Sequence, residues 1–336
     1  MNHSDNPTNI IPKILCIALI IVVGLLCISS AQGSIGELLN AGGTHAAPTL
    51  PINIPTVRPT PSYTSPNGQS ASAGETPAPS PTATARPVLG QLTHNGAAEE
   101  IAHHTDSELE FIITRVTREK LVYYTVELAL TSPYQLLTAF AGNRITNRDY
   151  TSNIAQSNDA LLAINGDFCG YNSNGIIIRN GILYRDTAST RSLAVYDSSG
   201  NFSYIPEKDA DAQALIDAGV FHTFSFGPVL VENSQATSDE VIEEHFLSHR
   251  VREPRTAIGQ LGPLHYLILV VDGRQDASQG MLFSELQDTF VSYGVISAYN
   301  LDGGGSSTLY YNGEVINSPC VEGERKVSDI IFFKGA

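Results

Sequence analysis

Three aspartates in this chain follow short apolar runs, each with glycine beside it. Asn165-Gly166-Asp167 comes after Ala160 to Ile164, Asp272-Gly273-Arg274 after Leu267 to Val271, and Asp302 opens Asp302-Gly303-Gly304-Gly305-Ser306-Ser307. One Asp-Gly at a strand end is an ordinary turn. Three of them, with Asn300 and Arg274 nearby, point to one convergent polar site. In the triple-glycine segment the missing Cβ atoms let successive amides aim at one centre, which suits an anion or a sugar oxygen; a plain tight turn is the alternative. A nucleotide phosphate loop does not fit, because a strand-like run follows and no Gly-Lys-Ser/Thr is present. A serine nucleophile elbow fails too, since Ser306 lacks the flanking glycine spacing.

Any phosphate handled here needs local guanidinium groups. Residues 1–90 carry three charges of each sign, so the formal net charge of −15 falls on residues 91–336. Such a surface repels nucleic acid and anionic membrane at long range. Fixed arginines, whose planar fork matches phosphate oxygens, would have to supply the contact. Arg191, Arg255, Arg274 and Arg325 are the candidates, with Thr256 next to Arg255 at the start of an apolar run; solvated surface arginines are the plain alternative. Glu285 is a candidate carboxylate or simply a favourable charge in a helix's first turn. His245 and His249 stand four apart beside Glu244, but Phe246 breaks the HExxH pattern, so no metal is expected there. Clustered carboxylates could instead take Ca²⁺. Cys169 and Cys320 could form a disulfide or remain two free thiols.

The elements that must place these residues read mostly as strands. Glu108 to Arg118 and Leu121 to Leu130 alternate with β-branched residues, and Tyr266 to Val271 and Val327 to Phe333 add further strands. Asn180-Gly181 and Asn312-Gly313 mark hairpins over Gly175 to Arg185 and Ser307 to Asn317. Helical patterns cover Asp209 to Ala218 and Ser284 to Tyr293, where Ser284 and Gln287 fit a capping box and Gly294 a stop. The fold class is α+β: one strand-rich domain over residues 91–336, with a mixed sheet and few helices. Upstream, the charge-free run Ile14 to Ile28 and Ser29-Ser30-Ala31 make residues 1–31 an export signal, cleaved or kept as a membrane anchor. Ten of the 18 prolines fall between Thr44 and Pro87, so residues 32–90 read as a Pro/Ser/Thr/Ala-rich flexible linker. The domain is therefore expected outside the cytoplasm.

Taken in order, Asn165-Gly166-Asp167-Phe168, Arg255-Thr256-Ala257-Ile258-Gly259, Val271-Asp272-Gly273-Arg274, Asn300 to Thr308 and Glu324-Arg325-Lys326-Val327-Ser328-Asp329 resemble the phosphodiester glycosidase family, over about Leu136 to Phe333. The resemblance implies hydrolysis of an N-acetylglucosamine 1-phosphodiester on a glycan or cell-surface polymer; apart from the possible Ca²⁺, no cofactor is expected. The leaving phosphomonoester has a conjugate acid of pKa roughly 6 and needs little protonation. What remains is an anion clamp, a carboxylate, and stabilisation of an oxocarbenium-like transition state. On this reading the clamp falls to Arg255, Arg274 and the amides of Gly303, Gly304, Gly305 and Ser306, with Arg325 nearby. Asp302 is the first carboxylate; Asp167 and Asp272 are positioning or second acid/base groups. Asn165, Arg191, Thr256, Asn300 and Ser307 complete the substrate-binding set. Two other classes stay open. A non-catalytic polysaccharide-binding module would favour tryptophan platforms, and the chain has no Trp; a metal-dependent phosphodiesterase would want ligand spacing that is not seen.

Overall fold

Leu121 to Leu130 carries one charge in ten residues and is buried along its whole length, the mark of a strand covered on both faces. In the computed structural model, which describes residues 86–238, 240, 242, 250–320 and 323–336, it lies inside an eight-stranded sheet. The apolar run at 14–28, the linker up to residue 85 and the His245 and His249 pair lie outside the described residues.

The sheet begins with the meander β1 (Ala97–Thr105), β2 (Leu109–Arg118) and β3 (Leu121–Leu130). It continues through β14 (His265–Val271), β13 (Arg255–Gly262), β15 (Ser297–Asn300), β11 (Val229–Glu232) and β12 (Gln235–Ala236). A five-stranded sheet has the order β17 (Glu314–Val315), β16 (Leu309–Tyr311), β5 (Leu162–Asn165), β18 (Asp329–Phe333) and β4 (Leu137–Phe140). Two small sheets flank them: β10 (Val220–Phe224), β8 (Ser192–Asp197) and β9 (Phe202–Pro206), and the hairpin of β6 (Ile177–Arg179) and β7 (Ile182–Arg185). The strand-rich α+β class with few helices holds, and among the described residues it is built from four sheets whose named strands pair antiparallel.

Period-two alternation explains the layers. In β14, Leu267, Leu269 and Val271 face helix α3 (Phe283–Ser292), meeting Phe283, Leu286 and Phe290 on one helical stripe. Ile268 and Val270 point the other way, into a core shared with Ile164, Leu309, Ile331 and Phe333 of the five-stranded sheet. Ile330 and Phe332 of β18 then meet Ile154 and Ala155 of helix α1 (Thr151–Ser157) on that sheet's outer face. Helix α2 (Ala212–Asp217) follows Asp211, whose carboxylate accepts from the Ala214 amide at 2.9 Å.

Both Asn-Gly hairpins form, with left-handed φ at Asn180 and Gly181 (51° and 75°) and at Asn312 and Gly313 (48° and 96°), as type I′ turns require. The expected capping box on α3 does not form. The helix starts one residue earlier, and Glu285 accepts from the Leu282 amide at 2.9 Å while Gln287 turns inward to the Leu230 and Thr237 carbonyls. Gly294, at φ 77°, ends it as expected.

Candidate active site

Hydrogen bonds link the three aspartate-bearing loops, and Asn165 ties two of them. Its Nδ2 donates to the Asp302 carbonyl at 2.6 Å, and its Oδ1 accepts from Thr256 Oγ1 at 2.8 Å and from the Thr308 amide at 3.3 Å. The Asp302 amide donates to the Gly166 carbonyl at 3.2 Å. The end of β5 in one sheet is so stitched to β13 and β15 in the other. Asn165 and Thr256 are fully buried, so they hold the backbone of the site rather than face solvent. On the far side, Asn317 donates to Asp272 Oδ1 at 3.0 Å and to the Ser307 carbonyl at 3.1 Å, placing Asp272 beneath the end of the glycine loop.

The four candidate carboxylates have different fates. Asp302 contacts Arg325 Nη2 through Oδ2 at 2.7 Å, and its neighbours include the Ser306 hydroxyl and the Gly303 amide. Burial pushes its carboxyl up, while Arg325 and these donors oppose that. Asp167 is buried against Arg179 at 3.0 Å and accepts from the Ser225 amide at 2.8 Å. Asp272 Oδ1 also accepts from the Ser318 amide at 3.0 Å, and burial raises its carboxyl to about 6. Glu285 is held by Arg252 through two contacts of 2.5 Å and caps α3, so its charge serves the helix.

Two of the four amides expected to cradle an anion are turned elsewhere. The Gly304 amide donates to the Pro254 carbonyl at 2.9 Å, and the Ser306 amide to the Gly303 carbonyl at 3.2 Å, so both are consumed internally. The three glycines also make room. A Cβ at Gly303 would stand 2.7 Å from the Pro254 carbonyl oxygen, one at Gly304 3.2 Å from Arg274 Nη2, and one at Gly305 3.3 Å from Arg325 Cβ. The Arg274 guanidinium and the Arg325 stem therefore lie flat on adjacent residues of one loop. Arg325 is fixed further by Nε donating to Ser306 Oγ at 2.9 Å. Arg274 is held by Glu253 at 2.5 Å and lines an open cleft of about 970 Å³ together with Arg250, Arg252, Gln275, Ser318 and Cys320.

The remaining candidates are placed less directly. Arg255 is buried, donating to the Met281 and Val251 carbonyls at 3.2 Å each and lying 3.8 Å from the Phe283 ring; burial lowers it to about 10. Arg191 donates to the Ser225 carbonyl at 3.2 Å and lies 5.4 Å from the Phe226 ring. Asn300 and Ser307 are buried; Asn300 Nδ2 donates to the Gly227 carbonyl at 2.8 Å, while Asn300 Oδ1 and Ser307 Oγ have no hydrogen-bond partner among the described residues. Both cysteines are free thiols, Cys169 buried and Cys320 half-buried.

Sequence reasoning missed Arg179, which binds Asp167 and Asp329 together and donates to the Thr223 carbonyl. Its signal was present: a lone charge ending the apolar run Ile176 to Ile178, just before the Asn-Gly turn. It also missed Phe168, whose ring lies beside Arg325. Asp167, Cys169 and Asp329 bring ligand-type atoms within 4.8 Å of one another, yet Arg179 already fills that charge, and the donor set does not suit Ca²⁺.

Residues 158–334, the span that carries every one of these candidate residues, match the family model described as phosphodiester glycosidase. The chain belongs to the phosphodiester glycosidase family. Among its relatives, the SPbeta prophage-derived uncharacterized protein YomE of Bacillus subtilis (strain 168) is 30% identical over 237 residues, covering 66% of this chain and 36% of that protein. The N-acetylglucosamine-1-phosphodiester alpha-N-acetylglucosaminidases of Bos taurus and Homo sapiens are 32% and 33% identical over 105 residues, or 30% of this chain and 20% of theirs. The chain therefore spans little more than a third of the Bacillus subtilis relative's length and a fifth of the two mammalian ones. In three dimensions it shares its fold with the zebrafish N-acetylglucosamine-1-phosphodiester alpha-N-acetylglucosaminidase catalytic domain auto-inhibited by pro-peptide. That match has a TM-score of 0.56 at 22% identity and covers 71% of this chain and 88% of the other. A hypothetical protein from Synechocystis matches at TM-score 0.50 and 14% identity, over 67% and 62% of the two chains.

Proposed function

We propose that this chain hydrolyses the glycosidic C–O bond of a sugar 1-phosphodiester, with N-acetylglucosamine as the sugar, on a glycan or surface polymer outside the cytoplasm. The observation that carries the reading is a buried carboxylate, Asp302, paired with a guanidinium whose side chain stays 43% exposed, Arg325, on a loop overlaid by a second exposed guanidinium, Arg274. As the anomeric C–O bond lengthens, positive charge grows on the sugar and negative charge on the departing phosphate. An ionised Asp302 answers the first, the two arginines the second. The leaving group needs no strong acid, because its conjugate acid has a pKa of roughly 6. Water completes the reaction, giving free sugar and a phosphomonoester. The open cleft beside Arg274 offers room for the acceptor. The family and the names of the mammalian relatives support the sugar and the bond cleaved. The apolar run at 14–28 supports export and membrane association; among the described residues no helix is long and apolar enough to cross a membrane.

The test is to incubate the full chain with an N-acetylglucosamine 1-phosphodiester in ¹⁸O-water and weigh both products. Label in the free sugar is expected. Label in the phosphate would mean P–O cleavage and overturn the proposal, and binding without turnover would favour a binding module.

A further inference from the structure

Phe168 follows Asp167 directly and holds φ 68° and ψ 15°, a left-handed conformation that a bulky residue adopts only when its surroundings insist. Glycine or asparagine would accept that backbone more easily, so the ring is the part worth explaining. It stacks on Tyr171 with centroids 4.1 Å apart and planes 6° from parallel. The other face of Tyr171 carries the Arg148 guanidinium at 3.8 Å, itself fixed by donating to the Gly170 carbonyl at 3.0 Å. Arg325 lies 5.8 Å from the Phe168 ring, and Tyr171 Oη donates to the carbonyl of the next residue, Lys326, at 2.7 Å. The stacked Tyr171 and Phe168 rings thus each carry a guanidinium, Arg148 on Tyr171 and Arg325 on Phe168, and Arg325 is the partner of Asp302.

We propose that Phe168 is a positioning residue: its ring holds the Arg325 guanidinium against Asp302 and so sets the charge on that carboxylate. The kinetic consequences rest on the glycosidase reading; the titration of Asp302 does not. A guanidinium near a ring face is attracted by the ring quadrupole, and a long exposed side chain held in place loses less freedom when it meets a phosphate. Among the described residues Arg325 is the charged group in contact with Asp302. Cys320 faces Arg325 and Arg274, Arg274 is held by Glu253, and Asp167 behind the loop is held by Arg179. None of these replaces Arg325 when the ring is lost.

In Phe168→Leu the acid limb of kcat/KM should move to higher pH by up to about half a unit, an approximately threefold loss below the limb, and Phe168→Tyr should restore it. An unmoved limb, or a tyrosine variant that behaves as leucine does, would overturn the proposal. The ¹³C-carboxyl titration of Asp302 in the full chain, assigned with Asp302→Asn, should show the same upward shift without any substrate. A fixed titration sinks the positioning role even in an active enzyme. Conversely, a wild-type chain that turns over no sugar phosphodiester sinks the glycosidase reading while leaving this titration decisive. Tyr171→Leu, which removes the support of the ring from behind, should move the titration the same way and serves if Phe168→Leu does not fold.

Discussion

Two carboxylate–guanidinium contacts flank the residues Asn165 to Asp167 and differ mainly in water. Arg179 bridges Asp167 and Asp329 at 3.0 and 2.9 Å, with side chains 1 to 2% exposed. Asp302 and Arg325 approach more closely, at 2.7 Å, yet the Arg325 side chain is 43% exposed. In the dry cluster burial raises the Asp329 carboxyl, the nearby Asp167 charge adds to that, and Arg179 opposes both. Breaking such a contact strands a charge in low dielectric and costs far more than forming it returned. In the other pair the carboxylate is buried but the guanidinium end meets water, so Arg325 can turn to a phosphate without first being taken out of a dry interior. Similar chemistry, differently wetted, separates a brace from a site.

The comparison breaks first at Arg179. Arg179→Met should destabilise the fold by about 3–5 kcal/mol, a large part of a typical domain's stability. Arg325→Met leaves the buried Asp302 without its ion partner but strands one carboxylate rather than two, and should cost less, about 1–3 kcal/mol. Urea unfolding of both variants decides this, and equal losses would erase the distinction. Gly166→Ala should resemble Arg179→Met in kind, since its Cβ would stand 2.4 Å from the Asp329 carboxylate, which Arg179 prevents from moving.

Activity should show the reverse order. Asp302→Asn is expected to lower kcat/KM by about 10²–10⁴-fold while leaving the urea midpoint near that of the parent. If Asp302→Asn unfolds the protein as Arg179→Met does, Asp302 belongs with the braces.

How much of this was legible in the sequence follows the same division. The Asn-Gly turns, the alternation in β2 and the continuous run of β3 are local signals, and those elements appear where the pattern puts them. Asp302, the glycine loop and Arg325 were legible because polar residues at strand ends stand out against apolar runs. The partners were not. That Arg179 would reach across 150 residues to Asp329 depends on the packing of β6 against the five-stranded sheet, which no local pattern encodes. What occupies the space left by the missing Cβ atoms of the glycine loop was not legible for a related reason: only the fold shows that Pro254, Arg274 and Arg325 fill it.

Asp272 sharpens the comparison from between the two regions. Its folded carboxyl, at about 6, lies above its ordinary value of 3.8 because burial penalises the charge. Between about pH 4 and pH 6 the folded state therefore holds a proton that the unfolded chain has released, so stability from this group falls as pH rises through that window. Asp272→Asn should remove this slope and raise stability at neutral pH by something on the order of 2 kcal/mol, less whatever the Asn317 and Ser318 hydrogen bonds lose. Urea midpoints of both proteins at several pH values provide the check. Parallel curves would mean that Asp272 is as wet as Arg325.

The smallest expected effect belongs to Gly305. A Cβ there meets Arg325 Cβ at 3.3 Å and Cδ at 3.5 Å, atoms of a side chain that stands largely in solvent and can give by a few tenths of an ångström. Gly305→Ala should therefore cost about 1 kcal/mol of stability or less. Its signature should be kinetic, because the stem that shifts is the one carrying the guanidinium to Asp302. A several-fold fall in kcat/KM with an unchanged urea midpoint is expected, accompanied by an acid limb displaced upward as Arg325 retreats and the opposing effect of burial on Asp302 gains. A loss of stability as large as that of Gly166→Ala would show the loop packed as tightly as the buried cluster, and the open pair would then have no freedom to exchange its partner.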